Sequence, residues 1–250
     1  MNDLLTMPFP AQFVKLLRTM KEHGPRESLA LVEKNLRAVT NQYLSRRWDR
    51  RFNVDTTGIV QLDGLSCSGD KSSSIWYEPT PLRTLEHIFR FLPPNPADFT
   101  FVDFGSGKGR TLLYAARFPF RRIIGIEFAQ ELHAIAERNI HAFRSPHQRC
   151  FDIRSICMDA AEFKIPDGDC VFYFFHPFWN EVMARVLCNM ERSYRAHPRV
   201  FLVLYYHPLS SKVFEQAAFL RKSAEAPAPF DLTAEPCVYR RRLAVYESVR

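Results

Sequence analysis

The run Asp103-Phe104-Gly105-Ser106-Gly107-Lys108-Gly109-Arg110 places an acid at the end of an apolar stretch and then glycines at alternate positions. Glycine lets the chain turn sharply and lets a ligand approach without a Cβ in the way. A helix opening at Arg110 would add free amides and a positive dipole end to the same space. Roughly 20 residues on, Glu127 closes a second apolar run, Ile123-Ile124-Gly125-Ile126. A carboxylate at such a strand end can accept hydrogen bonds from both hydroxyls of a ribose. Asp159 follows Ile156-Cys157-Met158; it suits either a ligand amino group or the cap of a helix opening at Ala160. His176, in Phe174-Phe175-His176-Pro177-Phe178-Trp179, can position or deprotonate a nucleophile. Tyr205-Tyr206-His207-Pro208 is a similarly placed rim.

Two common glycine-rich cradles fit poorly. The dinucleotide pattern G-x-G-x-x-G needs glycine where Arg110 stands. A phosphate-binding P-loop needs one where Val102 stands.

The elements that must hold these residues alternate. Apolar strands are expected at 99–104, 122–128, 153–158, 170–175 and 200–205, with helices at 110–117 and 130–144 and one bearing Met183, Val186, Leu187 and Met190 on a single face. Alternating strands and helices imply right-handed βαβ units and a mostly parallel sheet. Val171 to Phe175 and Phe201 to Tyr205 are continuously apolar, as strands buried on both faces should be. A last pair, 230–235 and 241–247, reads as an edge hairpin. Every candidate residue above falls at the carboxyl end of a strand, where such sheets bind ligands.

Ahead of this block, residues 11–50 read as helical, with Pro25 in a first turn and Leu29, Val32, Leu36, Val39 and Tyr43 on one face. The segment 55–75 is polar and rich in Gly, Ser and Thr, long enough for a lid. In Trp76-Tyr77-Glu78-Pro79-Thr80-Pro81, Thr80 is expected to cap the next helix. The expected division is a helical segment over 1–54, the polar loop over 55–75 and a ligand-binding domain over 76–250.

The 250 residues suit one sizeable domain with a helical appendage. No apolar run reaches the roughly 18 residues that span a bilayer, and the start lacks a signal peptide's basic region; a cytoplasmic protein is expected. The six cysteines form no C-x-x-C pair, and Cys157, Cys170 and Cys188 sit in apolar runs, so neither a metal nor a disulfide is expected. The net charge of +7 leaves room for an anionic partner, and Arg46, Arg47, Arg50 and Arg51 are its densest cluster. A solvated helix end whose arginines meet acids or helix carbonyls accounts for that cluster equally well.

The spacing D-x-G-x-G-x-G resembles motif I of the class I S-adenosylmethionine-dependent methyltransferases, and the resemblance extends over about residues 76–208. It implies an α/β fold: a doubly wound, mostly parallel seven-stranded Rossmann-like sheet with the N-terminal helical segment attached. It implies S-adenosyl-L-methionine as cofactor, with Asp103 near its ammonium, Gly105, Ser106, Gly107 and Gly109 in the close turn, Glu127 on the ribose, Asp159 on the adenine amino group and Met158 against the adenine. Amino-group methyltransferases often carry Asn/Asp-Pro-Pro-Tyr/Phe after strand four. Here His176 replaces the Asn or Asp and one proline is missing, which makes His176 the candidate catalytic residue and Phe175 its neighbour on the cofactor. The Tyr77 to Thr80 stretch resembles the Tyr-x-Pro-Ser/Thr segment of some lysine methyltransferases, which helps close over the cofactor, and the non-SET histone-lysine enzymes are a looser parallel. The implied acceptor is a nitrogen of a protein side chain or small molecule. A nucleic-acid methyltransferase and a non-catalytic cofactor-binding module are the alternatives.

Overall fold

A computed structural model describes residues 25–61, 76–228 and 241–249. Helix α1 spans Pro25–Phe52. Short strands β1 (Val60–Gln61) and β2 (Trp76–Tyr77) pair antiparallel. Helix α2 (Leu82–Ile88) then leads into the main sheet. Its strands are β3 (Thr100–Phe104), β4 (Arg122–Glu127), β5 (Ile153–Cys157), β6 (Cys170–Phe175), β7 (Phe201–Tyr206), β8 (Leu220–Pro227) and β9 (Arg242–Ser248). The intervening helices are α3 (Arg110–Ala115), α4 (Gln130–Ala142), α5 (Asn180–Ala196) and α6 (Ser211–Glu215).

The strand order is β5-β4-β3-β6-β7-β9-β8. The first five are parallel, and β9 and β8 close the edge antiparallel. This is the expected seven-stranded, mostly parallel α/β sheet. Its side chains alternate with the pleat. Phe101, Tyr173 and Leu204 face one apolar cluster with Leu85, Leu112 and Leu113; Phe104, Phe172 and Val203 face the other with Met183, Val186 and Met190.

Several expectations need correction. Thr80 does not cap α2: the cap position is Pro81 with no side-chain bond, and the Thr80 hydroxyl instead meets the Tyr173 hydroxyl at 2.8 Å. The partner of the last strand is 220–227, whose polar sequence Leu-Arg-Lys-Ser-Ala-Glu-Ala-Pro conceals a half-exposed edge strand; the expected strand at 230–235 lies outside the described residues, as do 1–24 and the loop from 62 to 75. Leu36, Val39 and Tyr43 on α1 are exposed. Cys170 and Cys150 are buried, but Cys188 is exposed and Cys157 only partly covered; all four are free thiols. Among the described residues, no helix is long and apolar enough to cross a membrane, and no three His, Cys, Asp or Glu side chains gather to hold a metal.

Candidate active site

The register of the parallel strands sets the candidates in a row. Glu127 pairs with Cys157 at the end of β4 and β5, while Phe175 pairs with Tyr206 at the end of β6 and β7. Between these pairs β3 ends at Phe104 and releases the glycine turn.

That turn is held from three sides. Gly105 and Gly107 adopt φ of +80° and +53°, and Gly109, at +83°, opens α3. A Cβ on Gly107 would lie 2.1 Å from the Tyr77 ring, and one on Gly105 would lie 2.5 Å from the Pro177 Cβ. Glycine is therefore required at both positions by packing as well as by φ. From the third side, Glu127 accepts the Gly107 amide on Oε2 at 2.7 Å and the Ala129 amide on Oε1 at 2.9 Å. Asp103, Gly105, Ser106, Gly107, Gly109, Glu127 and Tyr77 thus come together around one turn.

Two buried carboxyl groups crowd the turn. Glu127 is 4% exposed, and burial pushes its carboxyl up to about 7 against the amides that favour the anion. Asp103 is held well above the usual carboxylate range by burial and then by the Glu127 charge, with the Thr111 hydrogen bond opposing. The Ser106 hydroxyl is buried with no hydrogen-bond partner among the described residues.

Behind the turn lies a polar clasp that sequence reasoning missed. Arg110 is 2% exposed. Its guanidinium donates to the hydroxyls of Thr56, Ser45 and Thr57 and to the Thr80 carbonyl, and stands 4.0 Å from the Asp49 carboxylate. Asp49 in turn accepts the Thr56 and Thr57 amides. Lys108 donates to Asp55 at 3.0 Å and to the Thr57 carbonyl, and Asn139 of α4 exchanges hydrogen bonds with the Asp55 backbone and donates to the Lys108 carbonyl. The Tyr77 hydroxyl donates to the Thr56 carbonyl at 2.9 Å. The first residues of the expected lid, Asp55 to Thr57, are therefore fastened to the turn. The one signal in the sequence was Arg110, a charge where a related fingerprint has glycine.

The other candidates sit further along the edge. Asp159 caps the short turn Ala160–Glu162 by accepting the Ala161 amide and meets Arg185 at 3.4 Å, so its capping role is realised. Met158 packs beside the α5 cluster. The Phe175 ring lies 4.6 Å from Tyr206, with the Arg241 guanidinium 4.9 Å over it. Arg241 pairs with Glu78 at 3.0 Å. His176 follows, with φ of +36°, its Nδ1 3.4 Å from the Tyr205 hydroxyl and its ring against half-exposed Trp179. Burial and then the Arg241 charge lower its imidazole to about 4.

Residues 101–197 match a family model described as a methyltransferase domain. That stretch is less than half of the 250-residue chain. None of the curated proteins matches the chain in sequence. Among solved structures, the O-methyltransferase segment of StiE is similar at 13% identity and TM-score 0.47, over 68% of this chain and 75% of that one. An RNA methyltransferase from Salinibacter ruber in complex with S-adenosyl-L-homocysteine aligns at 15% identity and TM-score 0.45, over 68% of this chain and 94% of its own. The mitomycin 7-O-methyltransferase MmcR aligns at 15% and 0.45, and this chain covers 55% of it.

The donor set around the turn suits S-adenosyl-L-methionine. Glu127 has spare lone pairs on both oxygens and too few donors for its charge, which a ribose diol supplies. The two buried carboxylates favour a cationic ligand group such as an amino-acid ammonium.

Proposed function

We propose that this methyltransferase moves the methyl group of S-adenosyl-L-methionine to a nitrogen of a protein side chain or small molecule, with cofactor and acceptor held side by side along the sheet's C-terminal edge. The observation that carries the reading is the buried Glu127 carboxylate, tied to the Gly107 amide and short of donors. In this reading Glu127 takes the ribose hydroxyls. Asp103 faces the ammonium, Gly105 to Gly109 let the ligand lie against backbone, and Tyr77 walls the turn. Thr80 supports Tyr173 and Arg110 from behind rather than touching the ligand. Asp159 offers the adenine amino group whatever acceptor capacity its cap and Arg185 leave.

Bound S-adenosylmethionine supplies a methyl already activated on a sulfonium. The chain's task is positioning and exclusion of water. His176 serves that task as a neutral imidazole; at about 4 it is too weak a base to deprotonate an ammonium or an alcohol in advance. Of the two roles the sequence allows His176, positioning or deprotonation, this reading takes the first. Phe175, packed with Tyr206 and Arg241, stiffens the strand end beside His176.

A nucleic-acid acceptor is the second reading, favoured by Arg46, Arg47, Arg50 and Arg51. All are exposed, and none has a carboxylate partner among the described residues. Transfer of labelled methyl from the cofactor into a cell extract, followed by protease or nuclease digestion, separates the two. Label lost to protease or found in small molecules supports the first reading, and label released only by nuclease overturns it.

A further inference from the structure

The strands β6 and β7 end in the same way. Phe175 pairs with Tyr206 in register, and each is followed by His-Pro. Both histidines take the left-handed conformation, His176 at φ +36° and His207 at φ +56°. A non-glycine residue there is uncommon and tolerated only where the surroundings enforce it, often at functional sites. Here two such residues stand side by side at the ends of neighbouring strands.

Their rings face each other. The centroids are 6.0 Å apart with planes at 76°. His176 Nδ1 turns toward the Tyr205 hydroxyl, which itself accepts the Ser210 amide at 3.1 Å. The His207 backbone is fixed by its amide bond to the Arg242 carbonyl at 2.8 Å, yet no described residue hydrogen-bonds to its ring. Half-exposed Trp179 and Leu209 flank the pair. Arg241, with its partner Glu78, lies beneath both strand ends, its guanidinium over Phe175 and Tyr206.

We propose that His207 is a second acceptor-positioning residue, forming with His176 a two-imidazole cradle for an acceptor nitrogen that arrives uncharged and donates its N–H. The inference rests on the methyltransferase reading above and adds the residue and the protonation state of the acceptor. The charge environment fits. Burial, Arg241 and, for His207, the neighbouring His176 lower both rings to about 4, so both are neutral at physiological pH and each keeps one unprotonated nitrogen that can accept. The burial that keeps both rings neutral likewise disfavours an ammonium and favours the amine or amide form. In the transfer, the nitrogen lone pair forms the new N–C bond, the C–S bonding pair stays on sulfur, and the proton shed by the alkylated nitrogen passes to water. Two acceptors set about the same N–H-bearing group would fix its lone pair along the line of attack. A single imidazole leaves it free to swing.

The left-handed backbone decides the test variants. Alanine at 207 would be strained whatever its side chain did, whereas glycine keeps the backbone and asparagine keeps both backbone and a hydrogen-bonding group. The experiment measures labelled-methyl transfer into a cell extract, calorimetric affinity for S-adenosyl-L-homocysteine, and thermal midpoint for the parent, His207→Gly and His207→Asn. Histidine ring titration by NMR runs alongside for the parent and His176→Gly. The expected result is a transfer rate roughly 10- to 100-fold lower in His207→Gly, with homocysteine-ligand affinity and midpoint unchanged, partial recovery in His207→Asn, and a His207 titration that moves up when His176 is removed. Equal transfer by parent and His207→Gly overturns the inference and leaves the methyltransferase reading intact. Joint loss of ligand affinity and thermal midpoint in His207→Gly also overturns it, by making His207 structural. A parent that neither binds the ligand nor transfers label overturns the reading beneath it, and this inference with it.

Discussion

Around the glycine turn, polar groups are matched to partners from distant parts of the chain. Arg110 alone makes four hydrogen bonds to residues 45, 56, 57 and 80, and Tyr77 is locked over Gly107 by both its ring and its hydroxyl. At the β6–β7 end the pattern reverses. His176 has one long contact, the His207 ring has no hydrogen bond among the described residues, and Trp179 and Leu209 stand half open. On the proposed reading, the first region is pre-assembled for the cofactor, and the second keeps its hydrogen-bonding capacity for the acceptor. Stability and cofactor affinity should therefore depend on the turn and its clasp, and turnover on the histidine end.

Arg110→Ala is the sharpest test of that division and carries the largest expected effect. It leaves Asp49 buried without its cation, and losing one partner of such a pair costs about 3–5 kcal/mol. Denaturant unfolding should show that loss; a change below about 1 kcal/mol would mean the clasp is ornamental. Next is Glu127→Ala, expected to weaken S-adenosyl-L-homocysteine binding by roughly 2–3 kcal/mol through lost hydrogen bonds to a charged group. The protein should remain folded, since the native carboxylate is itself poorly solvated. His176→Gly, which tolerates the positive φ, should cut turnover roughly 10- to 100-fold while cofactor affinity holds. Parallel losses in both would erase the contrast between the two regions. The smallest effect belongs to Asp55→Ala. Its side chain is 63% exposed and Lys108 keeps the Thr57 carbonyl, so the stability change should stay within about 1 kcal/mol.

The same contrast governs what could be read in advance. The glycine turn, Glu127 and the row of strand ends were legible because the signal is local: an apolar run, a break, and an acid in fixed order. The sheet followed from continuous runs such as Val171 to Phe175. The clasp was not legible, because Asp49, Thr56, Arg110 and Asn139 meet only after folding, and a buried arginine reads in sequence like any surface one. Strand β8 escaped because Leu220–Pro227 lies at an exposed edge and needs no apolar pattern. Thr80 misled because a threonine before Pro81 is a good cap in isolation, yet Tyr173 competes for its hydroxyl. The pairing of His176 with His207 depends on strand register, which neither segment carries by itself.

The proton on Glu127 gives the central claim its most direct test. Its ordinary value is 4.5 and burial raises it to about 7, so the free protein loses stability as pH rises from 4.5 toward 7 and the buried group is forced to ionise. Ribose hydroxyls donating to that carboxylate favour the anion. Ligand binding should therefore release a proton below about pH 7, and affinity should climb with pH up to about 7 and then level off. The measurement is calorimetric titration of the parent with S-adenosyl-L-methionine, S-adenosyl-L-homocysteine and NAD across pH 5.5 to 8, in buffers of differing ionisation heat. The account predicts that both adenosyl ligands bind, with proton release that is diminished in Glu127→Ala, and that NAD does not bind. Tight NAD binding with no response to either adenosyl ligand would contradict it.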